Sequence, residues 1–114
     1  MANGARFKKW EIWRARVVYD DDIRQYKNRP VLIYDDQKIY VLSFKITSHA
    51  PRSNFPGEYR IKQWHIAGLD GESTVRLSKA IHLKDQDFIG QIGRLHRSDI
   101  TGILDAMANM DYQI

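Results

Sequence analysis

The sequence predicts a mainly β protein: a small, strongly bent antiparallel sheet or barrel of about five to seven strands, covered by one C-terminal amphipathic helix. Two observations lead to this expectation. Short runs of alternating apolar and polar residues, separated by turn residues, follow one another through residues 11–95, and the apolar period then changes to that of a helix. The length of 114 residues, without repeats or linkers, fits a single domain over residues 1–114.

The first half of the chain predicts three strands. A strand at residues 11–18 is followed by an expected polar loop at 19–28, which carries three consecutive aspartates. A buried strand at 31–34, a turn at 35–37 and a strand at 38–46 form a predicted hairpin. One face of the last strand carries the alternating apolar residues Tyr40, Leu42, Phe44 and Ile46.

The second half predicts the rest of the sheet and the helix. After a loop with two prolines, strands are expected at residues 59–66 and 75–83, with a turn at 68–71 between them. A short helical turn at 85–89 and an edge strand at 91–95 follow. Ser98 is the predicted N-cap of the final helix, and Asp99 lies in its first turn, where the helix dipole favours a carboxylate. Its apolar face consists of Ile100, Ile103, Leu104 and Met107.

The charge of the chain favours a polyanionic partner. Eighteen Lys and Arg residues against fourteen Asp and Glu residues give a net charge of +4. Arg14 and Arg16 share one predicted strand face, and Arg60, Lys62 and Trp64 share another. Cations beside aromatic rings suit single-stranded nucleic acid, whose phosphates need positive charge and whose bases need surfaces to stack on. A solvated sheet face explains the same pattern.

Several classes of site are poorly supported. The chain has no cysteine, which excludes disulfides and thiolate metal sites and is compatible with a reducing cytoplasm. We expect a cytoplasmic protein, because no apolar run has membrane-spanning length and the first residues lack a signal-peptide segment. The four histidines show no metal-binding spacing, and no GxSxG motif is present. We therefore expect neither a metal ion nor a cofactor.

Cleavage of RNA without a metal remains open to this chain. The reaction needs a base for the 2′-hydroxyl, donors around the phosphorus and an acid for the leaving oxygen. Arg29 can bind two phosphate oxygens at once, and Pro30 restricts its backbone. Thr47 ends a predicted strand, and Ser48 and His49 follow it with further polar groups suited to a phosphate. In the alternative, Arg29 forms a surface salt bridge and Thr47 caps a turn.

The order of five segments carries a family resemblance. The segments EIWRARV, NRPVLI, YVLSFKITS, GLDGESTVRLSKAIHL and IGRLHRSDITGIL, over about residues 9–107, resemble the MazF/PemK family of toxins from type II toxin–antitoxin pairs. In that family an Arg-Pro-Val-Leu-Val strand leads to a strand ending in Ile/Cys-Thr-Ser/Thr. A Gly-Leu…Ser-Val strand and an Ile-Gly-x-Leu segment follow before the final helix.

The resemblance implies a fold, an activity and partners. The fold would be a small SH3-like barrel of the CcdB/MazF/Kid type with a terminal helix. The activity would be metal-independent cleavage of single-stranded mRNA by a homodimer that an antitoxin neutralises. By position, Arg29 and Thr47 would be catalytic. We expect Ser48 and His49, which follow Thr47 directly, to contact the RNA. Two further RNA-contacting positions come from the PemK/Kid branch, namely Arg76 and Ser78, the latter standing where that branch has aspartate.

The chain also departs from the family pattern. Trp10 replaces a usual glycine, Ser78 an aspartate and Lys79 a glutamine, and Ile81 stands where an arginine is frequent. The base specificity of relatives is therefore not inherited.

Two other functions stay open. One is a catalytically inactive barrel of the same fold that binds RNA or a protein, and the other is a CcdB-like toxin directed at DNA gyrase. Neither needs Arg29 or Thr47, and the Arg-Pro and Ile-Thr-Ser motifs argue against the second.

Overall fold

The computed structural model describes residues 6–19, 22–36, 41–51 and 57–111. These form one antiparallel sheet in the order β4-β5-β3-β2-β1-β6, a 3-10 turn (Asp85–Asp87) and one helix, α1 (Arg97–Asp111). The mainly β fold with a C-terminal helix is confirmed. The strands are β1 (Glu11–Tyr19), β2 (Asp22–Asp36), β3 (Val41–Thr47), β4 (Glu58–Ile61), β5 (Ser73–Leu83) and β6 (Phe88–Arg94).

Strand pairing does not close the sheet among the described residues, but a backbone contact bridges its two edges. In the described part of the chain β4 and β6 are the two edge strands. The segment after β4, residues 62–69 (the closing turn), lies against β6. A Cβ atom built on Gly93 would lie 2.0 Å from the carbonyl oxygen of Ala67, and one on Gly68 would lie 2.6 Å from that of Ile92. Only glycine permits two backbones to approach so closely.

Two apolar clusters lie on opposite faces of the sheet. The first packs under α1 and includes Leu32. The second includes Val31 and Ile33 and is rich in aromatic contacts, such as the Phe7 ring centroid 4.3 Å from that of Phe88. Three consecutive residues of β2, 31–33, are thus fully buried, as expected for a strand with apolar layers on both faces. Strand β2 is therefore held by apolar packing on both of its faces.

Helix α1 covers the first cluster with a face that differs slightly from the predicted one. Ile103 is fully buried, but Leu104 is 48% exposed, so its predicted place on the apolar face is wrong. The predicted N-cap at Ser98 is also wrong, because the helix begins at Arg97 and the Nδ1 atom of His96 accepts the Ser98 N–H at 3.1 Å. The partly buried residues that pack beside Ile103 are Ile100, Ala106, Met107 and Met110.

Asp99 ties α1 to the closing turn. Its carboxylate is fully buried and accepts the main-chain N–H groups of Lys62 and Gln63, each at 2.9 Å, and the Tyr59 hydroxyl at 2.7 Å. Burial and the neighbouring carboxylate raise the pKa of the Tyr59 phenol well above its ordinary value. Removing one partner of a buried charge leaves it without compensation, so this cluster fixes the turn firmly on the helix.

The same cluster explains why one predicted strand is too long. A strand was expected over residues 59–66, but β4 ends at Ile61. The next two N–H groups, those of Lys62 and Gln63, bind Asp99 and so leave the sheet. Lys62 and Trp64 therefore belong to the closing turn and do not share a strand face with Arg60.

The polar loop expected at residues 19–28 is likewise wrong. Strand β2 begins at Asp22 and pairs with β1 through Tyr26, Lys27 and Asn28. The Arg16 guanidinium lies 3.9 Å from the ring centroid of Tyr26 on this hairpin. Cross-strand pairing and the cation–π contact outweigh the weak strand propensity of a polar segment. Residues 20 and 21 lie outside the described residues.

The turn predicted at 35–37 is also corrected in part. Asp35 and Asp36 belong to β2, opposite Leu42 and Val41 of β3. Residues 37–40, with Tyr40 of the predicted apolar face, lie outside the described part of the chain. The remaining strands and the short helical turn lie where they were predicted, with ends shifted by a few residues.

Trp10 occupies a backbone conformation that favours glycine. Its φ angle is +75°. Its N–H donates to the Ile33 carbonyl at 2.8 Å, and its own carbonyl accepts the Leu95 N–H at 2.9 Å. These bonds hold the left-handed conformation, which costs a residue with a Cβ atom about 1 to 2 kcal/mol. The ring offsets part of this cost by packing on the first cluster and against Tyr34, 6.0 Å between centroids.

We predict an inverted order of stability for two variants at this position. Both Trp10→Gly and Trp10→Ala lose the ring contacts, but only glycine relieves the left-handed strain. Trp10→Gly should therefore be more stable than Trp10→Ala by about 1 kcal/mol, or roughly 4 °C in melting temperature. Thermal melting measures the difference. If the alanine variant melts at or above the glycine variant, the strain at this position is not real.

Candidate functional site

A cleft of about 450 Å³ opens where the sheet splits between β2 and β3. The two strands pair from Asp36–Val41 as far as Val31–Lys45, and no pair follows among the described residues. Beyond that point β2 continues alongside β1, while β3 continues alongside β5. The cleft is the gap between these two halves of the sheet.

Pro30 explains why the split begins there. It is the next residue of β2 after Val31, and proline has no N–H to donate to a neighbouring strand. If the register of the ladder continued, Arg29 would lie opposite Thr47. Because paired positions share a face of the sheet, both residues can serve one ligand in the gap. Arg29 and Thr47 both line the cleft, and both are half-buried.

The segment after β3 is held by two side-chain hydroxyl groups. The His49 N–H donates to Oγ1 of Thr47 at 3.3 Å, and the buried Thr74 hydroxyl donates to the His49 carbonyl oxygen. The main chain of His49 is therefore fixed on both sides, while its ring is exposed. Since Thr47 Oγ1 accepts this N–H, the Thr47 hydroxyl proton is left to be donated elsewhere. Ser48 and His49 also line the cleft.

Charges of opposite sign lie on different walls of the cleft. Arg14, Lys27 and Arg29 line it from the β1–β2 hairpin. Asp70 and Glu72, from the loop before β5, line it from the other side. Glu72 is ion-paired with Arg60 outside the group of lining residues. An anion entering the cleft is therefore attracted to the hairpin wall, where Arg29 lies.

The bottom of the cleft is apolar and rigid. Ile46 and Leu69 are buried residues of the first cluster, and both line the cleft. Ile92 of β6 lines it as well, next to the point where Gly68 meets the β6 backbone. The contact between the closing turn and β6 thus sets the position of one cleft wall.

Two of the sequence-predicted site residues do not line this cleft. The Nε atom of Arg76 lies 3.3 Å from Oε2 of Glu58, whose side chain is only 4% exposed, so its charge is balanced within the sheet. Ser78 is exposed and lies in a bulge of β5, between the residues that pair with Phe44 and Lys45. Both stay predicted RNA contacts outside the cleft.

The other departures from the family pattern have separate surroundings. Ile81 packs against the second apolar cluster, which explains an apolar residue at a position where arginine is frequent. The side chain of Lys79 lies outside the described residues. Among the described residues no group of three or more His, Asp or Glu side chains is arranged to hold a metal ion. The described helix α1 is too short and too polar to cross a membrane.

The sequence predicted residues on both sides of the cleft but missed much of its lining. Arg29, Thr47, Ser48 and His49 were predicted together from their motifs, and they line one cleft. Lys27 was assigned to a loop, and Asp70 and Glu72 to a turn and its flank. The only signal for the acidic wall was the position of two carboxylates beside the glycines of GLDGES.

Comparison with known proteins gives a family and a fold. A profile of the family described as "PemK-like, MazF-like toxin of type II toxin-antitoxin system" matches residues 8–110. A search of curated proteins found no match. Among solved structures, the Mycobacterium tuberculosis toxin MazF-mt6 aligns with a TM-score of 0.68 and 24% identity, over 87% of this chain and 93% of that one.

A second solved structure agrees in fold. A protein titled "Crystal structure of Mtb toxin" aligns with a TM-score of 0.60 and 24% identity, over 71% of this chain and 90% of that chain. At this level of identity the structural likeness shows the fold alone.

We predict that the stability of the protein requires glycine at position 93, where the closing turn contacts β6, but not at position 90 of the same strand. A methyl group at Gly93 would collide with the Ala67 backbone, whereas one at Gly90 would meet nothing within 4 Å. Gly93→Ala should destabilise the protein by about 2 kcal/mol or more, and Gly90→Ala by less than about 0.5 kcal/mol. Chemical denaturation measures both. Equal stability of the two variants would show that the closing turn does not rest on β6.

Proposed function

Because the chain belongs to the family of PemK-like, MazF-like toxins of type II toxin–antitoxin systems, we propose that it is an endoribonuclease that cuts single-stranded mRNA without a metal ion. The observation that carries this proposal is the split after Val31 and Lys45, which leaves Arg29 and Thr47 on the two sides of one cleft. That arrangement offers a charged donor and a hydroxyl donor to a single phosphate.

The proposed reaction is attack by the ribose 2′-hydroxyl on the adjacent phosphorus. The guanidinium of Arg29 binds two non-bridging oxygens, and its contacts strengthen as negative charge builds up in the transition state. The Thr47 hydroxyl donates a hydrogen bond to the same phosphate, since its oxygen already accepts the His49 N–H. The products are a cyclic phosphate on one RNA fragment and a free 5′-hydroxyl on the other.

The remaining cleft residues are proposed to bind the RNA around the scissile phosphate. Lys27 and Arg14 are suited to neighbouring phosphates, and Ser48 to hydrogen bonds with the sugar or phosphate. The carboxylates of Asp70 and Glu72 are suited to accept hydrogen bonds from the amino groups of bases. A strand crossing the cleft would then have its backbone on the hairpin wall and its bases towards the acidic wall.

Two protein partners belong to the proposal. An antitoxin is expected because the family consists of toxins from toxin–antitoxin systems. A second copy of the chain is expected because edge strand β6 carries the exposed Ile89, which a dimer contact would cover. The proposed location is the cytoplasm, where mRNA is available.

Arg76 and Ser78 are proposed to contact RNA that extends beyond the cleft.

We predict that the protein cuts single-stranded RNA in the presence of EDTA and does not cut the DNA strand of the same sequence. The 2′-hydroxyl is the proposed nucleophile, and DNA lacks it. The measurement is gel analysis of end-labelled strands, with the cyclic phosphate identified by mass spectrometry. Cleavage that requires magnesium, or that extends to DNA, would contradict the mechanism, and binding of RNA without cleavage would favour a catalytically inactive barrel.

We further predict that two matched substitutions separate catalysis from folding. Arg29→Ala should slow cleavage about a hundredfold or more, on the scale of losing one transition-state donor. Thr47→Val should also lower the rate, whereas Thr47→Ser keeps the hydroxyl and most of the activity. The exposed Arg97, which does not line the cleft, provides the control Arg97→Ala.

The melting temperature of each variant is measured together with its rate of RNA cleavage. All four variants should melt within a few degrees of the original protein, because none opens a core cavity. If Arg29→Ala lowers the melting temperature sharply while its folded fraction cuts RNA at the original rate, Arg29 is a structural residue and the proposed catalytic role is wrong.

A further inference from the structure

The proposed reaction needs a proton donor that Arg29 and Thr47 do not supply. The oxygen that leaves as a 5′-hydroxyl is a poor leaving group unless it is protonated as its bond to phosphorus breaks. A guanidinium keeps its proton under all ordinary conditions, and an aliphatic hydroxyl is too weak an acid. A third side chain must therefore act on the leaving oxygen if the cleft is to catalyse the reaction at full rate.

Four lining side chains belong to classes that exchange protons: Lys27, His49, Asp70 and Glu72. A lysine ammonium is ordinarily a much weaker acid than an imidazolium, so it gives up its proton less readily. Carboxyl groups ordinarily have no proton to give at neutral pH, and Glu72 is in addition ion-paired with Arg60. Imidazole groups change charge between about pH 5 and 8 and are the commonest proton donors of this kind. His49 is the one histidine among the described residues that line the cleft.

The main chain of His49 is held more firmly than its exposure suggests. Its N–H is bound by Thr47 Oγ1 and its carbonyl oxygen by the buried Thr74 hydroxyl. The ring itself is exposed beside the proposed phosphate site, two residues beyond Thr47. A fixed backbone with an exposed ring positions a proton donor while allowing it to exchange protons with water.

We propose that His49 is the general acid of the cleft, and this inference rests on the proposed ribonuclease function. As the bond between the 2′-oxygen and phosphorus forms, the bond between phosphorus and the 5′-oxygen breaks. The imidazolium of His49 gives its proton to that 5′-oxygen, and the proton of the 2′-hydroxyl passes to water in the open cleft. Solvent then reprotonates the neutral imidazole.

The charged residues that share the cleft with His49 are of both signs. Arg14, Lys27 and Arg29 line the cleft from the hairpin, and Asp70 and Glu72 line it from the loop before β5. The rate of the original protein should decline on the alkaline side as the imidazolium is lost. His49→Gln should lack this decline, because glutamine does not titrate.

The decisive experiment changes the leaving atom instead of the protein alone. An RNA containing a site that the original protein cuts is made with sulfur in place of the bridging 5′-oxygen at that site. A thiol ordinarily ionises near pH 8.5, so a sulfur leaving group needs no proton. On the ordinary RNA, His49→Gln should be about a hundredfold slower than the original protein. On the sulfur RNA, the two rates should agree within about threefold.

Each outcome is informative. An equal loss on both substrates would mean that His49 binds RNA without transferring a proton, and no loss on ordinary RNA would exclude any role; both overturn the inference. If the original protein cuts no RNA, such a site does not exist and the proposed function itself fails. His65→Gln is the matched control, since His65 is exposed in the closing turn and does not line the cleft. It should keep the original rate on both substrates, and both variants should melt near the original temperature.

Discussion

The site depends on a hydrogen bond that one residue cannot make. Strands β2 and β3 pair until Pro30, which has no N–H to offer, and the sheet then divides into two halves. Arg29 stays with β1, and Thr47 stays with β5. The three residues that follow Pro30, Val31 to Ile33, are fully buried and keep this division in a fixed position. A short Arg-Pro pair thus produces a polar cleft beside a rigid core.

Two separate interactions position the cleft wall that lies opposite the β1–β2 hairpin. Asp99 of α1 holds the start of the closing turn, and Gly93 of β6 permits its end to touch the sheet. Directly after the second of these points the chain reaches Leu69, which lines the cleft. The helix therefore contributes to the site without touching it, because the buried carboxylate sets where the closing turn lies. Each support involves few atoms. The first consists of the three hydrogen bonds to Asp99, and the second depends on Gly93 having no side chain.

The sequence predicted the features that depend on local pattern. Alternation identified the sheet, the 3.6-residue period identified the helix, and two motifs brought Arg29 and Thr47 together. It failed where distant groups decide the outcome. The polar segment before Arg29 is a strand because β1 is available to pair with it, and β4 stops early because Asp99, nearly forty residues away, captures its next N–H groups. The positive φ angle of Trp10 has no signal in a single sequence beyond the family's preference for glycine there.

We propose that Arg29 and Thr47 bind one phosphate across the split between β2 and β3. A crystal structure with an RNA strand that carries a 2′-O-methyl group at the cleavage site would test it most directly, because the blocked nucleophile leaves the phosphate intact. The account predicts non-bridging oxygens of that phosphate within about 3 Å of both the Arg29 guanidinium and the Thr47 hydroxyl. A phosphate bound instead beside Arg76 and Ser78, with the cleft left to solvent, would contradict it.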